Sequence, residues 1–351
     1  MSIVFVLLYF FYWLIEQSCF KKYRRIFLFA SCAVLTFIVG FRSFQWPDTA
    51  VYAQSFLFYT NDLFNYSISD VGDGYSDKGF YFLSSVIKTF VSDYTIYFLI
   101  ISTLTFFFIY KSLRYYCIYP LIGLCIYVAR FMLSRNMMQI RAALAIAIVI
   151  YALQYVGKRD FKRYLLFVIL GTTLHMSLLL ALPLYWLDKI KITSNIILYC
   201  IVGAFLCVLM FSSLIIDKLS EVSMLYNIAQ TYTLENSGYT AGLGLYNPML
   251  YYQTFILLMF TYNEKKLFGI VPYYITIRNG YFYSTTLLII LSPFLVLAGR
   301  TSTIFATCEM FIIPSLILVL PIRYRSVGFF GVGVIASAFF YLNYSSASAH
   351  F

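Results

Sequence analysis

Charge is what this 351-residue sequence has least of. Asp, Glu, Lys and Arg together make up 11 % of it, against 62 % hydrophobic residues. A water-soluble domain of that length could not bury so much apolar side chain, so soluble globular classes are excluded. The seven Cys (19, 32, 117, 125, 200, 207 and 308) show no CxxC spacing and lie in or beside apolar runs. They read as small packing residues, which argues against a disulfide framework or a thiolate metal centre. Walker A, dinucleotide-fingerprint and D-x-D elements are all missing, which argues against a nucleotide-driven pump and against a metal-held nucleotide-sugar donor. "DVGDGYSD" sets Asp70, Asp73 and Asp77 at intervals that do not match an EF-hand. Ser85 and Lys88 match only a fragment of a β-lactamase motif, without its companion elements. No cofactor and no metal site is expected.

What remains is abundant apolar sequence, rich in Phe (36) and Tyr (34). The apolar runs are continuous rather than alternating, which excludes a strand-built barrel. An all-α polytopic membrane protein is the fold class, because backbone in lipid must satisfy its own hydrogen bonds. The net charge of +11 comes from 25 basic and 14 acidic residues. The bases cluster between apolar runs, so they set membrane topology rather than bind nucleic acid. The first apolar run lacks a basic leader and a small-residue cleavage site, and reads as a span.

Spans are expected near 3–20, 26–42, 94–110, 117–133, 141–156, 195–213, 246–262, 281–298, 303–320 and 327–343. The stretch 164–187 is long enough for one span or for two half-helices meeting near His175. Basic clusters at 21–25, 111–114, 158–163, 189–191, 265–266 and 323–325 all fall on the cytoplasmic side only if 164–187 turns back on itself. The expectation is therefore a single integral membrane domain over 1–351. It has about 10–12 transmembrane helices, one re-entrant hairpin and both termini outside. Outside loops are placed at about 43–93 and 214–245. Within the first, "GFYFLSSVIKTFV" carries apolar residues at 80, 83, 86, 87, 90 and 91, with Ser84, Ser85, Lys88 and Thr89 opposite. That pattern predicts an amphipathic helix in the membrane interface.

This topology leaves several charges where a membrane protein normally avoids them. Arg42, Arg130, Arg135, Arg141 and Arg300 all gather at the outer side, Glu309 lies inside a span, and His175 stands at the hairpin apex. A buried ionisable group costs roughly 2.5–3.5 kcal/mol even on lenient insertion scales, so each needs a reason. Pairing supplies one reason, with Arg300 and Glu309, or Arg42 and Asp48, as candidate partners. The other is an anion site, since guanidinium forks match phosphate oxygens. A lipid diphosphate would present its oxygens at that depth. Trp46, Tyr52, Tyr59, Tyr75, Tyr232, Tyr239 and Tyr246 in the outside loops could stack on sugars, although Tyr at interfaces is ordinary.

The motifs at these positions resemble a known family. "GFRSFQWPDTAVYAQSF" (40–56) resembles the GFR…G-D…Y…F signature of the EpsG/Wzy polysaccharide polymerases. "DKGFYFLSS" (77–85) resembles the E-P-G-F segment that follows it, with Asp77 nearest the family's Glu. "LSRNMMQIRAALA…TLHMSLLLA" (133–181) resembles the N-x-x-R-Q…H-x-S-A segment. "GRTSTIFATCEMFIIPSLI" (299–317) resembles the late R…Y…P segment.

The resemblance implies a metal-independent glycosyltransferase of GT-C type, an O-antigen or capsule polymerase of the bacterial inner membrane with its site facing the periplasm. It would transfer a glycan from undecaprenyl diphosphate to a lipid-linked repeat unit. The implied partners are those undecaprenyl-diphosphate-linked oligosaccharides, with a chain-length regulator and a flippase in the same membrane. Arg42, Arg130, Arg135, Arg141 and Arg300 would bind diphosphate, and Asp48, His175 or Glu309 would serve as the catalytic base. The alternatives are an O-antigen ligase and a flippase or transporter for lipid-linked oligosaccharides.

Overall fold

The computed structural model describes residues 2–46, 48–67, 77–221 and 244–348, and every regular element among them is helical. The helices are α1 (Ser2–Gln17), α2 (Arg24–Gly40), α3 (Thr49–Gln54), α4 (Lys78–Phe90), α5 (Tyr94–Tyr116), α6 (Pro120–Tyr127), α7 (Ile140–Gly157) and α8 (Phe161–Leu174). They continue with α9 (Ser194–Glu221), α10 (Pro248–Tyr262), α11 (Tyr274–Ile290), α12 (Leu295–Ala306), α13 (Glu309–Leu316) and α14 (Arg325–Ser348). Most of the second expected outside loop, including Tyr232 and Tyr239, lies outside the described residues, as do Asp70, Asp73 and Tyr75.

Helices occupy the places the apolar runs predict, but fewer of them are full spans. Among the described residues, five are long and apolar enough to cross a membrane: Cys19–Gly40, Tyr94–Tyr116, Ile140–Gly157, Ser194–Phe211 and Ile322–Ala347. A sixth is counted if Leu297–Ala306 and Glu309–Val319, bent by 55°, are one span. By length and composition, five to six of the ten to twelve expected spans are therefore full-length helices among the described residues. The protein is a multi-pass membrane protein whose remaining apolar helices are short or broken.

The break between α12 and α13 replaces the straight span expected over 303–320. The expected span at 281–298 is displaced as well, since α11 starts at Tyr274. Arg278 falls outside the expected span. It is buried within the helix because its Nη1 meets Glu264 at 2.8 Å and its Nη2 donates to the Ile192 carbonyl at 2.7 Å.

The chain turns back on itself at the expected place. Helix α8 ends at His175, whose extended backbone (φ −158°) stops the helix, and a tighter helical segment, Met176–Ala181, returns. The return leg is tied to the outgoing one. Tyr164 donates to the Ala181 carbonyl at 2.6 Å, and Tyr185 to the Arg159 carbonyl at 3.0 Å. Arg159 in turn donates to the Asp188 carbonyl and pairs with its carboxylate at 3.2 Å. Residues 158–163 and 188–191 therefore share one end of the bundle, and His175 stands toward the other.

Helix α4 packs against this hairpin and α5. Its buried face differs from the expected one: Phe80, Tyr81, Ser84, Ser85 and Ile87 point inward, while Phe82 and Phe90 are exposed. Ser84 can turn inward because its hydroxyl is satisfied, donating to the Phe80 carbonyl and lying 3.1 Å from the Tyr97 hydroxyl. Exposed aromatic rings at a bilayer interface cost little. Gly79 allows the close approach, since a Cβ there would sit 2.5 Å from Thr173 Cβ on α8.

Candidate functional site

The charges singled out in the sequence converge at the hairpin-apex end of the bundle, in two layers. The outer layer is held by the N-terminal ends of α3, α4 and α7, the apex of the hairpin and α12. Arg141, in the first turn of α7, donates from Nη1 to Asp77 Oδ2 at 2.7 Å and from Nε to the Tyr52 hydroxyl at 3.3 Å. Asp77 precedes α4, and its other carboxylate oxygen accepts the Met176 N–H at 3.3 Å. His175 Nδ1 lies 3.6 Å from Asp77 Oδ2. One carboxylate thus fastens α4, α7 and the hairpin turn together.

Asp48 sits at the start of α3 in a left-handed conformation (φ 62°), and its side chain does not cap that helix. Its side chain reaches solvent by area, but surrounding atoms partly withdraw the carboxyl from water. That withdrawal raises its pKa, against the downward pull of Arg141, Arg300 and Arg42. Three guanidinium groups from distant parts of the chain thus act on one carboxyl.

Arg42, two residues past α2, is buried. Its guanidinium stacks 3.8 Å over the Phe98 ring, and Nη1 donates to the Asn136 carbonyl at 2.9 Å. Nε and Nη2 are buried with no hydrogen-bond partner among the described residues. Burial lowers its pKa to about 10, so it remains a cation at neutral pH. Arg300, on α12, is exposed.

The inner layer surrounds the α12–α13 break. A π-helical turn over Val128–Met132 follows α6 and carries Arg130, and a short α-helical turn, Leu133–Arg135, follows it and carries Arg135. Arg135 is buried. It donates to the Thr307 hydroxyl at 2.6 Å and to the Thr303 carbonyl at 2.7 Å. Thr303 lies in the last turn of α12, where carbonyls lack helical partners and a cation complements the helix dipole.

Arg130 pairs with Glu309 at 3.3 Å and stacks on Phe131, Tyr252 and Phe339. Glu309 is fully buried in the first turn of α13 and accepts from Tyr281 at 3.1 Å and from Tyr252 at 3.5 Å. The pairing explanation for Glu309 is correct in kind, but the partner is Arg130 rather than Arg300.

All eight sequence-nominated residues therefore lie in this region, differently engaged. Arg130, Arg135 and Glu309 are committed to one another and to their neighbours. Arg42, Arg141, Arg300, Asp48 and His175 border the outer layer. From the sequence, Asp77, Asn136, Thr303 and Thr307 were omitted from the site, and Tyr52 was offered only as a ring to stack on sugars. Only Asp77 carried a signal, its place beside the family's Glu.

Residues 25–351, nearly the whole chain, match the sequence model of the EpsG family. No curated protein and no solved structure matches. The chain belongs to the EpsG family, a Wzy-type polymerase-like family.

Proposed function

We propose that this protein is a polysaccharide polymerase that moves a glycan from a polyprenyl diphosphate to a sugar hydroxyl of a second lipid-linked repeat unit. The site faces the periplasm across the bacterial inner membrane. Arg42, Arg141 and Arg300 hold the diphosphate, while Arg130, Arg135 and Glu309 form the buried floor beneath it. His175 takes the proton from the acceptor hydroxyl, with Asp77 orienting its ring. The acceptor oxygen bonds to the sugar's anomeric carbon. The bond from that carbon to the diphosphate breaks, and the polyprenyl diphosphate departs with the electron pair. Guanidinium groups already in place stabilise the charge that develops on it.

The observation that carries this reading is Arg42, whose buried Nε and Nη2 have no hydrogen-bond partner among the described residues. A buried, unsatisfied donor on a charged group costs more than about 1–3 kcal/mol, so it calls for an explanation, and a bound anion is one. A phosphate oxygen fits the fork. The gathering of these charges at one end of the bundle favours catalysis at one face over a path across the membrane.

The test is deletion of the gene in its host, with surface glycan read on a gel. Loss of a polymerase leaves the lipid anchor carrying a single repeat unit. Bare anchor would instead identify a ligase, and loss of exported repeat units a flippase. Complementation with Arg42→Lys should leave the single-unit pattern, and a normal ladder would overturn the reading.

A further inference from the structure

The hairpin encloses more than a turn. Between α8 and its return leg lies a cleft of about 360 Å³, lined by Leu165, Val168, Ile169, Thr172, Met176 and Leu179, with Asp77 and Lys78 at one end. That volume is of the order of small-molecule sites, about 300–1,000 Å³. The cleft is apolar along its length and charged only where it meets the candidate site. Ile169, Met176 and Leu179 on its rim are exposed, so it opens sideways from the bundle rather than into its core. Its polar end is the Asp77 carboxylate that receives Arg141 at 2.7 Å and stands 3.6 Å from His175.

We infer that this cleft is the binding groove for the first isoprene units of the donor's polyprenyl tail. The inference rests on the polymerase reading. An amphiphile lying with its tail between α8 and the return leg necessarily presents its head group at Asp77, Lys78, Arg141 and His175. Of the two lipid-linked substrates, only the donor has its diphosphate at the reacting bond. The acceptor reacts through a sugar at the far end of its repeat unit, so its own lipid lies elsewhere. A cleft whose mouth is the diphosphate site therefore suits the donor.

A second apolar cleft, about 270 Å³ between α1 and α14 at Tyr9 and Gly333, has no charged residue in its lining. It does not lead a head group to the site. The hairpin's function follows: a full span would place a continuous helix against lipid, whereas two half-length legs leave a slot that opens sideways and meets the charged residues at its Asp77 end.

The test uses the full chain in lipid nanodiscs with an undecaprenyl diphosphate bearing a diazirine in its first isoprene units. Irradiation should label residues 165–182, and unlabelled polyprenyl diphosphate should suppress the labelling. Labelling at α1 and α14 overturns the inference, as does labelling that phospholipid suppresses equally well. Thr172→Trp and Leu179→Trp, which fill the cleft from its rim, should raise KM for the lipid-linked donor at least tenfold. Binding of inorganic pyrophosphate should stay unchanged in both. Normal kinetics in both variants also overturn the inference. The polymerase reading is judged separately, since loss of pyrophosphate binding in Arg42→Lys does not depend on where the tail lies.

Discussion

Arg141 and Asp77 stand 64 positions apart in the chain and 2.7 Å apart in the fold, joined by a hydrogen-bonded ion pair at the mouth of the hairpin cleft. The contact welds the start of α7 to the start of α4. Because Asp77 also receives the Met176 N–H, it fixes the apex where His175 sits. A single carboxylate therefore ties together three of the segments that border the outer layer.

Asp77→Asn should keep the Met176 contact and lose the charge facing Arg141 and His175. Charge-assisted hydrogen bonds contribute about 1.5–3 kcal/mol, so the protein should remain folded with a lowered unfolding temperature. Polymerisation should fall by about 10²-fold or more, the low end of what general-base catalysis supplies. Thermal unfolding in detergent and glycan ladders from the same preparation measure the two effects. An unaltered ladder would remove Asp77 from the mechanism.

Arg42→Lys keeps a cation but loses the planar fork and the stacking over Phe98. Expression and membrane insertion should be normal, while pyrophosphate affinity drops at least tenfold. Calorimetry on the purified protein reads this directly. Equal affinity in the wild type and the variant would show that the two unpartnered N–H groups serve no anion.

Glu309→Gln alone leaves Arg130 buried beside a neutral partner, and breaking a buried pair typically costs about 3–5 kcal/mol. Joining it to Arg130→Met should restore much of the lost stability, because neither charge then remains uncompensated. If Glu309 is floor rather than base, the double variant should also regain polymer synthesis. Restored unfolding temperature without restored synthesis would return Glu309 to the list of catalytic groups.

Single cysteines at Lys162, Lys189 and Met176, placed in a chain otherwise free of cysteine, test the hairpin. A membrane-impermeant maleimide should reach positions 162 and 189 from one side of the membrane. It should reach position 176 only from the other side, if at all. Labelling of 162 and 189 from opposite sides would mean that the segment crosses once.

Much of this was legible in advance, for identifiable reasons. Apolar run length marks where helices lie, since lipid leaves the backbone no other partner. The clusters at 158–163 and 189–191 demanded that the chain return, and the Tyr164 and Tyr185 bonds show how it does. Charges with no local excuse, such as Arg42 and Arg135, pointed to a site because their burial is costly. The inward turn of Ser84 and Ser85 was not legible, because apolarity alone ranks Phe90 above serine for burial. Nor was the length of α11, since a buried Arg278 is tolerable only with Glu264 and the Ile192 carbonyl in place.

Composition and run lengths by themselves determined the class of this protein, the order of its helices and the arginines worth asking about. These are properties of one residue, or of one segment, meeting lipid or water. Which arginine grips Glu309, which carboxylate steadies His175, and where α12 breaks from α13 were decided only when distant segments met. Each depends on a partner more than 60 residues away or on a bend relieved by one. Ion pairs and hydrogen bonds act over a few ångströms, so partner choice is a property of the packed bundle and leaves no trace in local sequence.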